Sequence, residues 1–233
     1  MQREEYFREY FESIFKNSNT FSKKEYEIHC KEYESNYGKF LPIKKDAVIL
    51  DVGCGAGHFL YYLKKKGYTN FLGVDISSQQ IEFCKKNISV NVTRLDIFEF
   101  LQNKENIYDV IVANDFLEHL SKDKVIGFLN LTFRALKTKG KIILKTPNLG
   151  NPFAIRLRYA DFTHEIGVTE KSLYQILWIA GFRNIRIVPF EKTKVAHKMT
   201  ANMIYFVIRK LMWYQGFVAS HILTSSLVGV GEK

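Results

Sequence analysis

The segment Val48-Ile-Leu-Asp-Val-Gly-Cys-Gly-Ala-Gly57 constrains this chain more than any other. An apolar run reads as a buried strand, and it empties into glycines at alternate positions before a helical pattern begins at Phe59. Backbone without side chains at Gly53, Gly55 and Gly57 lets a ligand approach closely at the carboxyl end of that strand. The spacing is not the Gly-x-Gly-x-x-Gly that receives a dinucleotide pyrophosphate, and no Gly-Lys-Ser/Thr follows to make a phosphate loop. Asp51 stands inside the apolar run, where an unpaired carboxylate is costly, so it calls for loop amides or a cationic ligand.

Beyond this loop the chain alternates. Strand-like runs at 71–75, 91–95, 108–113, 141–145 and 185–188 interleave with helical patterns at 79–87, 122–136 and 170–180. Buried β-branched strands separated by helices predict an α/β fold with a Rossmann-like doubly wound sheet. That sheet is mostly parallel, with helices on both faces and an antiparallel last strand at 227–230. Before it, residues 3–16 and 23–36 carry helical stripes of tyrosine and phenylalanine, which predicts a helical N-terminal cap over 1–42 and a second unit over 43–233.

Two further acids extend the ligand argument. Asp75 ends the second strand, where a carboxylate accepts the hydroxyls of a ribose, and Asp96 ends the third beside the apolar Ile97. An acid after each of three successive strands suits a positively charged nucleoside better than a phosphate. In this order the motifs resemble the class I S-adenosylmethionine-dependent methyltransferases over residues 45–190. Asp109-Val-Ile-Val-Ala-Asn-Asp-Phe-Leu-Glu-His-Leu120 is similar to the fourth-strand motif of the subgroup containing ubiquinone-biosynthesis O-methyltransferases. The resemblance implies S-adenosylmethionine as cofactor, held by Asp51, Gly53, Gly55, Gly57, Asp75, Ile76, Asp96, Ile97 and Asn114.

The acceptor is narrowed by what is missing. The fourth strand ends Asn-Asp-Phe-Leu rather than Asn/Asp-Pro-Pro-Tyr/Phe, the sequence of enzymes acting on planar amides and base amines, and no cysteine follows strands four or five for a covalent attack on cytosine. A hydroxyl acceptor benefits from a base, and His119 and His164 are the candidates, with Asp161 to orient His164. His29, His58, His197 and His221 read as structural. The long loop after strand five, Thr-Pro-Asn-x-x-Asn-Pro and then Arg-Tyr-Ala-Asp-Phe-Thr-His-Glu, looks like a branch of bacterial methyltransferases often found in surface polysaccharide and glycolipid pathways. That implies O-methylation of a sugar hydroxyl on a nucleotide sugar, glycan or glycolipid, with Arg156, Arg158 and Tyr159 near the acceptor. A quinone-type aromatic hydroxyl at the membrane is the alternative, and an RNA methyltransferase or a nonenzymatic cofactor-binding protein stands further off.

Charge separates these. Lys and Arg number 34 against 24 Asp and Glu, a net +10, and the whole excess lies in the C-terminal hundred residues. Residues 134–160 hold seven bases and no acid, and residues 183–210 hold seven bases and one acid. With no recognisable stacking motif for bases, this points to an anionic acceptor or an anionic membrane and makes nucleic acid an unlikely partner. The pattern at 194–219 predicts a basic, largely apolar helix suited either to a membrane interface or to burial against protein, a homodimer included. Three cysteines without paired spacing, no run for a membrane span and no metal-ligand spacing predict a cytoplasmic enzyme, or one at the inner face of the membrane, without a bound metal.

Overall fold

The computed structural model describes residues 22–192 and 196–233. The helix expected at 3–16 lies outside the described residues. Helix α1 (Lys23–Tyr37), capped by the Ser22 hydroxyl, is what is described of the N-terminal cap. From there the chain runs β1 (Ile49–Val52), α2 (His58–Lys65), β2 (Phe71–Asp75), α3 (Ser78–Asn87), β3 (Val92–Arg94), α4 (Ile97–Leu101) and β4 (Tyr108–Asn114). It continues with α5 (Lys122–Ala135), β5 (Leu136–Pro147), α6 (Ile155–Tyr159), α7 (Glu170–Ile179), β6 (Arg183–Pro189), α8 (Ala196–Tyr214) and β7 (Ser226–Glu232).

The strands form one sheet in the order β3-β2-β1-β4-β5-β7-β6. Pairings β3-β2, β2-β1, β1-β4 and β4-β5 are parallel, and β7 runs antiparallel to both neighbours, so the expected doubly wound sheet with an antiparallel last strand is present. The side-chain period of two sends alternate strand residues into two cores. Leu50, Val52, Ile111, Ala113, Ile142 and Leu144 pack with α5 and α7 on one face. Ile49, Val110, Val112, Ile143 and Val228 pack with the tyrosines of α1 and the apolar side of α2 on the other.

Three local departures from the sequence expectation have physical causes. Helix α4 was not apparent in the periodicity because it is five residues long; Asp96 starts it by accepting from the Phe98 amide at 2.7 Å. Strand β5 follows α5 with no intervening loop, so its first residues pair with β4 (Tyr108 opposite Leu136) where the apolar pattern still looks helical. The loop after β5 is partly structured, with a 3-10 turn at Pro152–Ala154 and then α6. Asn148 organises this turn: fully buried, it donates through Nδ2 to the carbonyls of Ile222 and Thr224 and accepts from the Gly150 amide.

Candidate functional site

The site begins at the carboxyl end of β1. Amides of Gly53 and Cys54 both donate to the Val74 carbonyl, at 2.8 and 3.1 Å, which folds the glycine loop back on β2. Gly53 and Gly57 have φ of 66° and 83°, where a side chain is strained. A Cβ on Gly53 would stand 2.9 Å from the Phe116 ring, and one on Gly57 2.5 Å from Cys84 Sγ. Asp75, from the end of β2, fixes the loop further by accepting from the Gly55 amide through Oδ2 (2.9 Å) and from the Ser77 amide through Oδ1 (2.8 Å). Each of its oxygens keeps a second lone pair for a ligand hydroxyl. Burial pushes the Asp75 carboxyl upward while these amides pull it down, and burial prevails.

This loop floors a cavity of about 420 Å³ along the carboxyl edge of the sheet. Asp51, Gly53, Gly55, Asp75, Ile76, Asp96, Ile97, Asn114 and His119 all line it. Gly57 does not, and serves as the N-cap that packs α2 against α3. Four buried polar atoms on the walls have no hydrogen-bond partner: Asp51 Oδ2, His58 Nε2, Gln80 Oε1 and Asn114 Nδ2. Burial, and then the neighbouring Asp75, raise the Asp51 pKa well above the ordinary carboxylate value. Asn114 is aimed by the buried Tyr37, whose hydroxyl donates to its Oδ1 at 2.6 Å, so α1 of the cap sets the orientation of a β4 side chain. Four acids (Asp51, Asp75, Asp96 and Asp115) face the cavity against Lys124 and Lys145, and Lys145 is itself paired to Asp115. A cationic ligand fits that balance, and it would supply the partner Asp51 lacks.

The three expected catalytic residues come together. The amides of Glu165 and Ile166 donate to the Glu118 carbonyl at 2.8 and 3.2 Å, drawing the returning loop onto the turn after β4. The rings of His119 and His164 consequently meet edge to face at 4.7 Å. His119 Nδ1 lies 2.8 Å from Thr163 Oγ1, and the Thr163 hydroxyl donates to Asp161 Oδ1 at 2.7 Å. Because that hydroxyl hydrogen is committed to Asp161, the Thr163 oxygen accepts from Nδ1–H, and His119 carries its lone pair on Nε2. Burial, reinforced by His164, pushes the His119 pKa down to about 4, so its imidazole is neutral at physiological pH. Burial also raises Asp161, but hydrogen bonds from Thr163 outweigh it and hold the carboxyl below its usual value. Glu118, buried beside them, is pushed up to about 8 by desolvation and then by Asp115. His164 and Asp161 lie behind His119 and do not line the cavity; their side chains approach to 3.8 Å.

Arg156, Arg158 and Tyr159 are not part of the cavity wall. Arg156 and Tyr159 are exposed on α6, while Arg158 is half-buried and donates to the Glu165 carbonyl at 2.8 Å. Several wall residues were not singled out from the sequence: Tyr33, His29, His58, Gln80, Phe116 and Lys145. His29 and His58, read as structural, stand at the cap side of the cavity, with Tyr26 stacked on His58 at 4.5 Å. Burial, followed by His29, drives the His58 pKa down to about 3. The one available signal was position, since His58 directly follows the last glycine of the loop. Among the described residues, folding also gathers two groups, Glu25–His29–His58 and Glu118–His119–His164, the ligand atoms within each lying within 4.8 Å of one another. Linear spacing could not show them because each joins separate segments.

The methyltransferase-domain family matches residues 24–187, more than half of the chain. Among curated proteins, a tRNA U34 carboxymethyltransferase of Helicobacter pylori is 28% identical over 162 residues, covering 64% of this chain and 61% of that protein. The chain thus spans about three fifths of the length of that protein, and 43% of a Methanocaldococcus jannaschii relative that it also matches. Among solved structures, a SAM-dependent methyltransferase from Archaeoglobus fulgidus aligns with a TM-score of 0.69 at 24% identity, covering 88% of this chain and 94% of that one. Phosphoethanolamine N-methyltransferase 2 of Haemonchus contortus, in complex with S-adenosyl-L-methionine, aligns with a TM-score of 0.60 at 15% identity, covering 97% and 60%. At these identities the solved structures share the fold.

Proposed function

The chain belongs to the methyltransferase-domain family and uses S-adenosylmethionine, and on that premise we propose that it O-methylates a sugar hydroxyl on a nucleotide sugar, glycan or glycolipid precursor. When bound, the cofactor supplies an electrophilic methyl on a sulfonium. The chain's own residues supply the rest. Asp51 offers a buried negative group to the cationic end of the ligand, Asp75 offers lone pairs to ribose hydroxyls, and Asp96 with Ile97 borders the position for the base ring.

The observation that carries the choice of a hydroxyl acceptor is His119. It is a cavity-wall imidazole, neutral at physiological pH, with its Nδ1 proton held by Thr163 and its basic nitrogen therefore defined. An alcohol must lose its proton as it attacks, and a positioned base contributes about 10²–10⁴-fold to such a step. An amine or thiolate needs less help. The basic character of residues 134–160, with Arg156 exposed and Arg158 half-buried on α6, supports an anionic group such as a phosphate on the acceptor.

A second reading is favoured by similarity to a tRNA-modifying enzyme: an RNA acceptor held by the same basic surface. The test is transfer of labelled methyl from the cofactor to a panel of nucleotide sugars, lipid-linked glycans, quinols and bulk tRNA. Turnover on a sugar acceptor that His119→Ala abolishes, with cofactor affinity retained, supports the proposal. Labelling of tRNA alone, or sugar turnover indifferent to His119→Ala, removes it.

A further inference from the structure

Helix α8 is an excursion between the neighbouring strands β6 and β7, and few of its described side chains pack on the body of the protein. Among its described side chains Ile208 alone is buried, with Tyr205 and Met212 half-buried on the same side at helical spacing. The opposite side carries Met203, Phe206, Lys210 and Trp213 at intervals of three and four, and Phe217 continues the line just past the helix. Phe206 is 60% exposed and Trp213 74% exposed, so this apolar stripe faces outward. Lys210 sits at its centre, its ammonium 5.8 Å from the Phe206 ring and 5.9 Å from the Trp213 ring.

We propose that this stripe docks the protein on a bilayer surface rich in anionic phospholipid. Charge complementarity supplies the reason. Residues 183–210 carry seven bases and one acid, and none of residues 196–214 is acidic. An isologous contact with a second copy would set Lys210 and its neighbours against the same positive surface with no acid to pair them. A bilayer interface accommodates the stripe without that conflict. The aromatic rings enter the acyl boundary, tryptophan seats its amphipathic ring at headgroup depth, and the lysine stem extends to the phosphates. No helix among the described residues is long and apolar enough to cross a membrane, so the contact is in-plane.

The geometry adds a second exposed apolar segment at the same junction. Residues just after α8 are fastened to the turn after β5: Asn148 and Asn151 donate to the carbonyls of Ile222, Thr224 and Leu223. From that turn emerges α6 with exposed Tyr159 and Arg156, and exposed Phe162 follows it. The proposal rests on α8 and holds whichever acceptor is methylated.

The test is flotation of the full chain with phosphatidylcholine vesicles made with and without phosphatidylglycerol. In parallel, Trp178→Phe leaves Trp213 as the single fluorescent indole. Expected are ~tenfold or greater enrichment on the anionic vesicles, weakened by salt, and a blue shift of the Trp213 emission on adding them. Lys210→Glu, and separately Phe206→Ser with Trp213→Ser, should return the protein to the soluble fraction while cofactor affinity by calorimetry is unchanged, which reports intact folding. Three results would overturn the proposal: the parent chain staying soluble on anionic vesicles, Lys210→Glu floating like the parent, or a lipid-free dimer in sedimentation velocity that the Phe206→Ser, Trp213→Ser variant dissociates.

Discussion

Replacing Asp51 with asparagine should make the empty protein more stable and a far poorer binder. Asp51 is 2% exposed, its Oδ2 has no partner, and burial followed by Asp75 lifts its pKa well above 3.8. A raised carboxylate pKa means the folded state holds the proton more tightly than the unfolded chain. The penalty is therefore absent below the unfolded pKa, grows as pH rises toward the folded pKa, and is fully present above it. Each unit of separation costs about 1.4 kcal/mol. An unsatisfied buried polar atom costs about 1–3 kcal/mol even when neutral. Asp51→Asn keeps the volume and removes the charge, so we expect a gain of about 1–3 kcal/mol in the ligand-free protein near pH 8, or roughly 3–9 °C in Tm for a chain of this size. Near pH 4 the difference should vanish. Affinity for S-adenosylmethionine should fall roughly 10–150-fold, the equivalent of about 1.5–3 kcal/mol for one charge-assisted contact. Differential scanning calorimetry at the two pH values and titration calorimetry with the cofactor read both effects. If Asp51→Asn destabilises the empty protein at pH 8, or binds the cofactor within about threefold of the parent, Asp51 is not an uncompensated anion awaiting a cation.

Other expectations follow from the same contacts. Because His119 is neutral only above a pKa of about 4, kcat/KM on the true acceptor should rise with pH through that region and level off before neutrality; a limb centred near 6.5 would mean the imidazole is not buried as described. Gly57→Ala must place a Cβ against Cys84 Sγ at φ 83°, and should lower stability by about 1–3 kcal/mol in urea denaturation; a neutral result would show the loop moves at no cost. Asn148→Ala orphans the Ile222 and Thr224 carbonyls and the Gly150 amide, so a loss of about 1–3 kcal/mol is expected, with earlier proteolysis between α8 and β7. Tyr37→Phe frees Asn114 Oδ1 and should weaken cofactor binding several-fold without greatly changing Tm; unchanged calorimetry would remove the link from cap to β4.

What was legible in the sequence is what acts locally. The strand-loop-helix unit from Ile49 to Lys65 and Asp75 at its strand end announce themselves because strand period, glycine freedom and buried charge are properties of a few consecutive residues. The last strand showed itself as a short apolar run. Helix α4 escaped because five residues hold too little periodicity, and β5 was shortened because its start directly continues a helix. Tertiary placement was the real limit. His119 and Thr163 meet across 44 positions, and Tyr37 meets Asn114 across 77; no pattern in either segment marks its partner. His58 looked structural for a related reason, since its role at the cavity depends on α1 folding over it. Arg156, Arg158 and Tyr159 were expected near the acceptor from the resemblance of their loop, whereas α6 holds all three away from the cavity wall.

The placing of β7 between β5 and β6 has a consequence for the order in which the molecule is made. Strand β6 leaves the ribosome with no neighbour: its ladder is entirely with β7, where Val188 meets Val228 some forty residues later. Until β7 is synthesised, both edges of β6 are bare and β5 has one open edge, while the apolar helix α8 emerges in the interval. Bare edges and an exposed hydrophobic helix are the features that draw nascent chains into aggregates. The nascent protein is therefore at its most vulnerable just before its last strand arrives, and slowing translation between α8 and β7 would depress soluble yield more than the same delay earlier in the chain.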